Sequence, residues 1–335
     1  MSDARQTLAV VVPAYNEGEG LRAFHARLAA VFDRLPEFRC SVIYVDDGSR
    51  DDTWAVIESL AQTDTRVAAL RLSRNFGKEL ALTAGLDHSD ADVVIVIDAD
   101  LQDPPELIPD FVAKWREGYD AVSGQRAERQ GESWFKRFTA AAFYRVMGRL
   151  STTPIPRDTG DFRLLSRRAV QALRGLRERH RFMKGLFAWI GFPQVTLSYQ
   201  RDPRHAGESK FNYWKLWNFA LEGITSFSTA PLRVATYIGV ASAFAAFASG
   251  LWIVIKTLLW GDPVAGYPSL MVAMLFLGGV QLMALGVIGE YLGRLYEESK
   301  ARPLYLVDRW HPSVNGAAPA LRADLRVPAT GLSSR

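Results

Sequence analysis

VIDADLQDPPE, residues 96–106, decides how the N-terminal half of this chain folds. An apolar, mostly β-branched run, Val93–Ile97, stops abruptly at Asp98, Ala99 and Asp100; Gln102, Asp103 and two prolines follow. Such a run predicts a buried strand, and the prolines predict a stiff turn after it. Three similar runs precede it: LAVVVP (8–13), SVIYVD (41–46) and VAALRL (67–72). Amphipathic stretches lie between them, at 18–35, 51–63 and 76–88. Continuous apolar strands with helical crossovers predict an α/β domain whose mostly parallel sheet is covered on both faces. Each strand runs into a polar cluster: PAYNE (13–17), DDGSRDDT (46–53), SRNFGKE (73–79) and DADLQDPPE (98–106). Ligands of such sheets bind outside the carboxyl ends of the strands, so the four clusters predict one crevice.

Two carboxylates at one strand end repel each other, and burial makes this worse. On a continuing strand Asp98 and Asp100 share a face. A divalent cation, Mg2+ or Mn2+, resolves the conflict, taking a few protein oxygens and completing its shell with substrate phosphate. A lone Asp-x-Asp is more often a solvated turn. The buried strand before it and the three companion clusters favour the metal. Pro104 and Pro105 suit the start of a helix, where a preset φ costs nothing. Asp47, Gly48 and Ser49 suit a turn more than a ligand site. Lys78 opens a helix, where positive charge is unfavourable, and this favours a functional role for it.

The second half changes character. Val234–Ile255 is 22 residues without a charge, and Pro263–Gly289 is 27 more. Each is long enough to cross a hydrocarbon core of roughly 30 Å. Arg233 flanks one side and Arg294, Lys300 and Arg302 the other, which predicts that both ends of the hairpin are cytoplasmic. Gln281, polar within the second run, is expected to bond across to the first. The stretch 133–150 carries Lys136, Arg137, Arg145 and Arg149 among aromatics and suits either an interfacial helix or an ordinary surface helix. Residues 211–228, with Trp214 and Trp217, suit a headgroup belt. The tail after about 312 has the composition of a disordered segment. These features divide the chain into residues 1–210, a cytoplasmic catalytic domain; 211–230, a juxtamembrane segment; 231–292, two transmembrane helices at about 234–256 and 265–289; and 293–335, a cytoplasmic C-terminal segment.

Composition excludes several classes. The chain has 335 residues, net charge +4 and a single cysteine, Cys40. One cysteine rules out an internal disulfide framework and a cysteine-based zinc site. No G-x-G-x-x-G follows the first strand, which disfavours a dinucleotide oxidoreductase. The mild basicity fits lipid headgroups or phosphates, and no nucleic acid is expected as a partner.

PAYNE, DDGS and DADLQDPPE, in this order on these strand ends, resemble family 2 glycosyltransferases of the GT-A fold. RNFGKE (74–79), TGDFRL (159–164), RHAGESKF (204–211) and two C-terminal spans narrow the resemblance to polyprenyl-phosphate glycosyltransferases, the group of bactoprenol glucosyltransferases and dolichol-phosphate mannose synthases. It covers about residues 8–300. It implies a GT-A nucleotide-diphospho-sugar transferase domain, then interfacial helices and a two-helix transmembrane hairpin in the inner (cytoplasmic) membrane. The implied donor is a nucleotide-diphospho-sugar, with UDP-glucose the first choice, the acceptor is polyprenyl (undecaprenyl) phosphate, and the implied assembly is a homo-oligomer, a tetramer.

The same resemblance implies roles residue by residue. Pro13, Tyr15 and Glu17 shape the nucleotide pocket, Asp46 reads the base, and Asp98, Asp100 and Gln102 gather the metal. Lys78 reaches a phosphate or a sugar hydroxyl. Arg126, Arg163, Arg204, Ser209 and Lys210 serve phosphate or acceptor binding, although Arg204–Lys210 also suits a juxtamembrane basic cluster attracted to anionic lipid. Asp161, in TGDFRL, stands nearest the chemistry, as a base or as an acceptor-positioning acid; an N-cap role for the helix at 166–175 is the structural alternative. Two rival functions stay open. A processive polysaccharide synthase is disfavoured by only two spans and by Leu306–Trp310 lacking the glutamine of a Gln-x-x-Arg-Trp motif. A nucleotide-binding scaffold without turnover is disfavoured by the completeness of the motifs.

Overall fold

The computed structural model describes residues 5–126, 159–199, 230–260 and 266–314. The stretch 133–150, the segment 211–228, the residues Arg204, Ser209 and Lys210, and the tail beyond 314 lie outside the described residues.

The apolar runs become strands where expected. β1 (Gln6–Ala14), β2 (Phe38–Asp46), β3 (Val67–Leu72) and β4 (Val93–Val96) alternate with α1 (Gly18–Phe32), α2 (Thr53–Thr63) and α3 (Lys78–Asp87). After a 3-10 turn at Pro105–Leu107 come α4 (Ile108–Arg116), β5 (Ala121–Arg126), β6 (Thr159–Ser166), α5 (Arg167–Gly175), α6 (Met183–Trp189) and β7 (Gln194–Tyr199). Two long helices, α7 (Ala230–Trp260) and α8 (Tyr267–Ser299), precede a last strand, β8 (Val307–His311). Pro105 opens the 3-10 turn, as a residue with preset φ should.

All eight strands form one sheet in the order β7-β5-β6-β4-β1-β2-β3-β8. β1 pairs in parallel with β2 and β4, and β2 with β3, so their carboxyl ends lie along one edge. β6 runs antiparallel to both β4 and β5. The register brings the start of β6 to the carboxyl end of β4, where Val96 faces Arg163. A strand with two buried faces must bury both sets of alternate side chains. Leu8, Val10, Val12, Tyr44 and Ile95 pack beneath α1, α2 and α4, while Val11, Val45, Val94 and Val96 pack beneath α3, α5 and α6. α3 sits so close to the sheet that a Cβ on Gly85 would lie 2.3 Å from Val11 Cγ1, so only glycine fits there.

α7 and α8 are built differently. Their segments Val234–Trp252 and Leu270–Ser299 are long and apolar enough to cross a membrane. They do not bury this surface in the protein: Phe244 is 74% and Leu282 71% exposed. A soluble core helix would hide such side chains. Gln281, expected to bond across the hairpin, lies exposed.

β8 comes from the segment after α8 and pairs antiparallel with β3, closing one edge of the sheet. The string at Leu306–Trp310 is therefore largely edge strand. Tyr305, just before it, is fully buried and donates a hydrogen bond to Asp87 Oδ2 at 2.9 Å.

Candidate active site

The clusters at the carboxyl ends of the strands meet as expected, and the loops are laced to one another. Asn16 accepts the Arg50 N–H and donates its own backbone N–H to Ser49 Oγ, both at 3.0 Å. The Glu17 N–H donates to Thr53 Oγ1 at 2.9 Å. Tyr15 is 41% exposed at the mouth of this region. Pro13 is buried within β1 beside Val45.

Asp46 and Asp47 divide their work in a way the sequence did not show. Asp46 has no exposed surface; its Oδ1 accepts the Ser49 N–H at 3.0 Å and its Oδ2 lies 3.3 Å from Arg71 Nε. It closes the turn with this bond. Asp47 accepts the N–H groups of Phe76 and Gly77 at 2.7 and 2.9 Å. It thereby ties the end of β2 to the loop that opens α3 and sets the position of Lys78. Burial pushes both carboxyls up, and the hydrogen bonds oppose it. Gly48, at φ +67°, allows this approach, since a Cβ there would lie 2.5 Å from the Arg74 carbonyl carbon.

Lys78 binds two carboxylates. Its Nζ lies 2.6 Å from Asp98 Oδ1 and 2.6 Å from Asp161 Oδ2. The fold explains the meeting. Val93 faces Ser166 and Val96 faces Arg163, and two residues further along the same register stand Asp98 and Asp161. Both belong to the sheet face covered by α3, whose first residue is Lys78. The side chains of Asp98 and Asp161 are 19% and 17% exposed, and that of Lys78 is 44% exposed. Burial disfavours the Lys78 ammonium, but the two carboxylates outweigh this and raise its pKa. For Asp161 burial acts upward, and Lys78, Lys184 and Arg163 overcome it, holding the carboxyl well below the usual range. Burial drives Asp98 upward, Lys78 opposes this, and Asp161 reinforces it. Asp161 does not cap the following helix, because Ser166 does so, accepting the Ala169 N–H.

The Asp-x-Asp does not continue as strand. Pairing stops at Val96, and Leu101 takes φ +60° with its side chain buried. Strand alternation therefore does not relate Asp98 to Asp100. Asp100 Oδ1 accepts the Gln102 N–H at 3.1 Å, closing a tight turn. A buried leucine holds a conformation that leucine avoids, and strain of this kind collects at functional sites. Asp103 has no exposed surface and accepts the Tyr199 hydroxyl, anchoring the turn to β7. Among the described residues, no three His, Cys, Asp or Glu side chains form a group able to hold a metal. Asp98, Asp100 and the Gln102 amide are hard oxygen donors that fit Mg2+ or Mn2+ if substrate phosphate completes the shell.

Arg163, expected at the acceptor phosphate, is 3% exposed. It donates to the Gly160 carbonyl at 3.0 Å, and its guanidinium lies 3.8 Å from the centre of the Phe187 ring. Burial lowers its pKa to about 10. It supports the strand that carries Asp161 from below and presents almost no surface to a ligand. Arg126 ends β5.

Glu79, in RNFGKE, carries no expected role from the sequence. Its Oε2 accepts the Met183 N–H at 3.0 Å, which pins the start of α6 beside Lys78. The sequence signal was only its place next to Lys78. Burial, then Asp161, push its carboxyl up to about 7. The folded state therefore binds more protons than the unfolded state between about pH 4.5 and 7, so stability falls as pH rises through that window. Glutamine keeps the acceptor oxygen and removes the titration. Glu79→Gln is expected to match wild type near pH 4.5 and to exceed it by about 1–3 kcal/mol at pH 8. Urea unfolding followed by tryptophan fluorescence at both pH values checks this.

Comparison with known proteins agrees with this architecture. The family model Glycosyl transferase family 2 matches residues 9–174, and the model GtrB C-terminal hairpin matches residues 230–295. The chain is 54% identical over 304 residues to an uncharacterized glycosyltransferase of Synechocystis, covering 90% of this chain and 95% of that one. It is 50% identical to the bactoprenol glucosyl transferase of Shigella phage SfV, covering 90% and 97%. It is 46% identical to a prophage bactoprenol glucosyl transferase homolog of Escherichia coli, covering 90% and 98%. Sheet, loop clusters and hairpin thus coincide with the two matched models, and the chain belongs to glycosyl transferase family 2 as a GT-A glycosyltransferase with a GtrB-type C-terminal hairpin.

Proposed function

We propose that the protein transfers glucose from UDP-glucose to undecaprenyl phosphate at the cytoplasmic face of the inner membrane, with inversion at the anomeric carbon. The observation that carries this is the Asp98–Lys78–Asp161 cluster at the carboxyl ends of the sheet, in a chain that continues into two exposed apolar helices. The bactoprenol glucosyl transferases it resembles along most of its length support glucose and a polyprenyl carrier.

In this mechanism Tyr15 stacks on the base and Glu17 accepts from the ribose, while Asp46 shapes the turn beneath them. Asp98, Asp100 and Gln102 would hold a divalent cation, which would offset charge on the diphosphate leaving group. The acceptor phosphomonoester has a second pKa near 6, so its oxygen is already largely anionic at pH 7. That oxygen attacks the anomeric carbon as the bond to the diphosphate breaks, and the electron pair departs with the nucleoside diphosphate. No proton has to be removed. A carboxyl held as low as Asp161 is a poor base in any case, so its task is to orient the acceptor. Lys78 answers the charge that moves between the phosphates, and Arg126, Arg204, Ser209 and Lys210 supply further phosphate contacts.

The purified protein, in detergent with Mg2+ and undecaprenyl phosphate, is expected to yield a lipid-linked hexose from UDP-glucose. A panel that adds GDP-mannose and UDP-GlcNAc, read by mass spectrometry of the lipid, identifies the sugar. Product from another donor alone would overturn glucose, and no product from any donor would overturn transfer to this lipid.

A further inference from the structure

α8 is longer than a membrane needs. Its 33 residues span about 50 Å, against a hydrocarbon core of about 30 Å. Charge begins only near its C-terminal end, with Glu290, Arg294, Glu297 and Glu298. The last three turns therefore form a rigid stalk outside the lipid, and the stalk docks on the catalytic domain. Glu298 Oε1 accepts the Arg179 backbone N–H at 2.6 Å, and Glu297 Oε2 lies 2.8 Å from His180 Nε2. The Arg179 guanidinium donates to the Arg302 carbonyl just past the helix. Beside this, Asp87 accepts from both Arg177 Nη1 at 2.7 Å and the Tyr305 hydroxyl at 2.9 Å. The strap 176–182 is thus gripped by the stalk and by the segment that follows it.

This strap leads straight to the site. Arg181 is buried and donates to the Leu176 carbonyl, closing the strap on itself. Phe182 and Met183 follow, and the Met183 N–H is the donor to Glu79 Oε2. Glu79 is the neighbour of Lys78, which holds Asp98 and Asp161. One turn along the same face of α6, Phe187 packs on Arg163 beneath Asp161.

We propose that Glu297 and Glu298 are positioning residues for transfer: through the strap and the Glu79–Met183 bond, the membrane hairpin sets the α6 wall against the Lys78–Asp161 pair. The hairpin then does more than anchor the enzyme. It registers the reacting carboxylates to the element along which a lipid acceptor arrives, a task that a flexible tether could not perform. This rests on the transferase reading above. Wild-type turnover in the same assay separates its failure from failure of that reading.

The test is Glu297→Ala/Glu298→Ala in the full-length protein. Glu297 is 54% exposed, so removing its charge should leave the fold intact. Turnover of undecaprenyl phosphate is expected to fall about tenfold, within the range for coupling through packed elements. Donor affinity by calorimetry should stay within about twofold, and amide exchange at Met183 and Lys184 should speed up. Glu298→Gln, which keeps an acceptor oxygen for the Arg179 N–H, should restore most of the rate. Glu79→Ala cuts the path further along, so adding it to the double variant should cost little more than either alone. Unchanged turnover, a loss confined to donor affinity, or losses that simply multiply would each overturn the proposal.

Discussion

Asp98→Asn is expected to reduce sugar transfer at least 10³-fold while leaving the protein as stable as wild type. Asparagine keeps the shape and loses the charge. Asp98 stands at the end of a fully buried strand, and burial pushes its carboxyl upward, so the folded state tolerates this charge at a cost. Neutralising it relieves that cost, and Lys78 keeps Asp161 as a partner at 2.6 Å. Function suffers in the opposite direction, since a preorganised anion in a partly dry site is worth 10²–10³-fold or more. Donor affinity measured by calorimetry with Mg2+ should fall with turnover, and the melting temperature should not. Asp100→Asn should act in the same direction. Transfer at the wild-type rate in chelator-washed protein given Mg2+ would remove Asp98 from metal binding.

Asp161→Asn should separate turnover from donor binding. The residue faces Asp98 across the sheet and shares its ammonium, but it belongs to β6 and to the side closed by α6. Turnover is expected to drop about 10²-fold, with donor affinity changed less than about threefold. Raising the pH from 7 to 8.5 should recover little. Lys78, Lys184 and Arg163 hold this carboxyl far below neutral pH, so it is ionised throughout and has no proton-accepting role to lose. A variant whose rate recovers as pH rises would restore Asp161 as a general base. One that binds donor poorly but turns over bound donor normally would place Asp161 on the donor side.

Much of this was open to inspection in the chain itself. A buried strand must be apolar on both faces and must stop where polar chemistry starts, so Val93–Ile97 followed by Asp98 announces both the sheet and its functional edge. The same logic located β1 to β3 and their clusters. The exposed apolar length of α7 and α8 follows from composition alone, because no water-soluble helix leaves so many large side chains uncovered. These features are local: each is written within one continuous run of residues.

What the chain could not show is who meets whom across the sheet. Asp161 lies 63 positions beyond Asp98 in sequence, and only the antiparallel register of β4 and β6 brings them to one lysine. The division of tasks between Asp46 and Asp47 depends on which neighbouring loop offers N–H groups, and that is decided by packing of the β3–α3 loop. Arg163 has the composition of a phosphate ligand, but on the same face of β6 as Asp161 it is buried against Phe187. β8 and Tyr305 had no strong local signal, because an edge strand with charged residues gains its stability from the partner it finds. Glu79 gains meaning only from Met183, 104 positions away. Local pattern determines which segments are strands, helices or spans; long-range register and packing decide which carboxylate holds a lysine, which closes a turn and which supports the wall of the site.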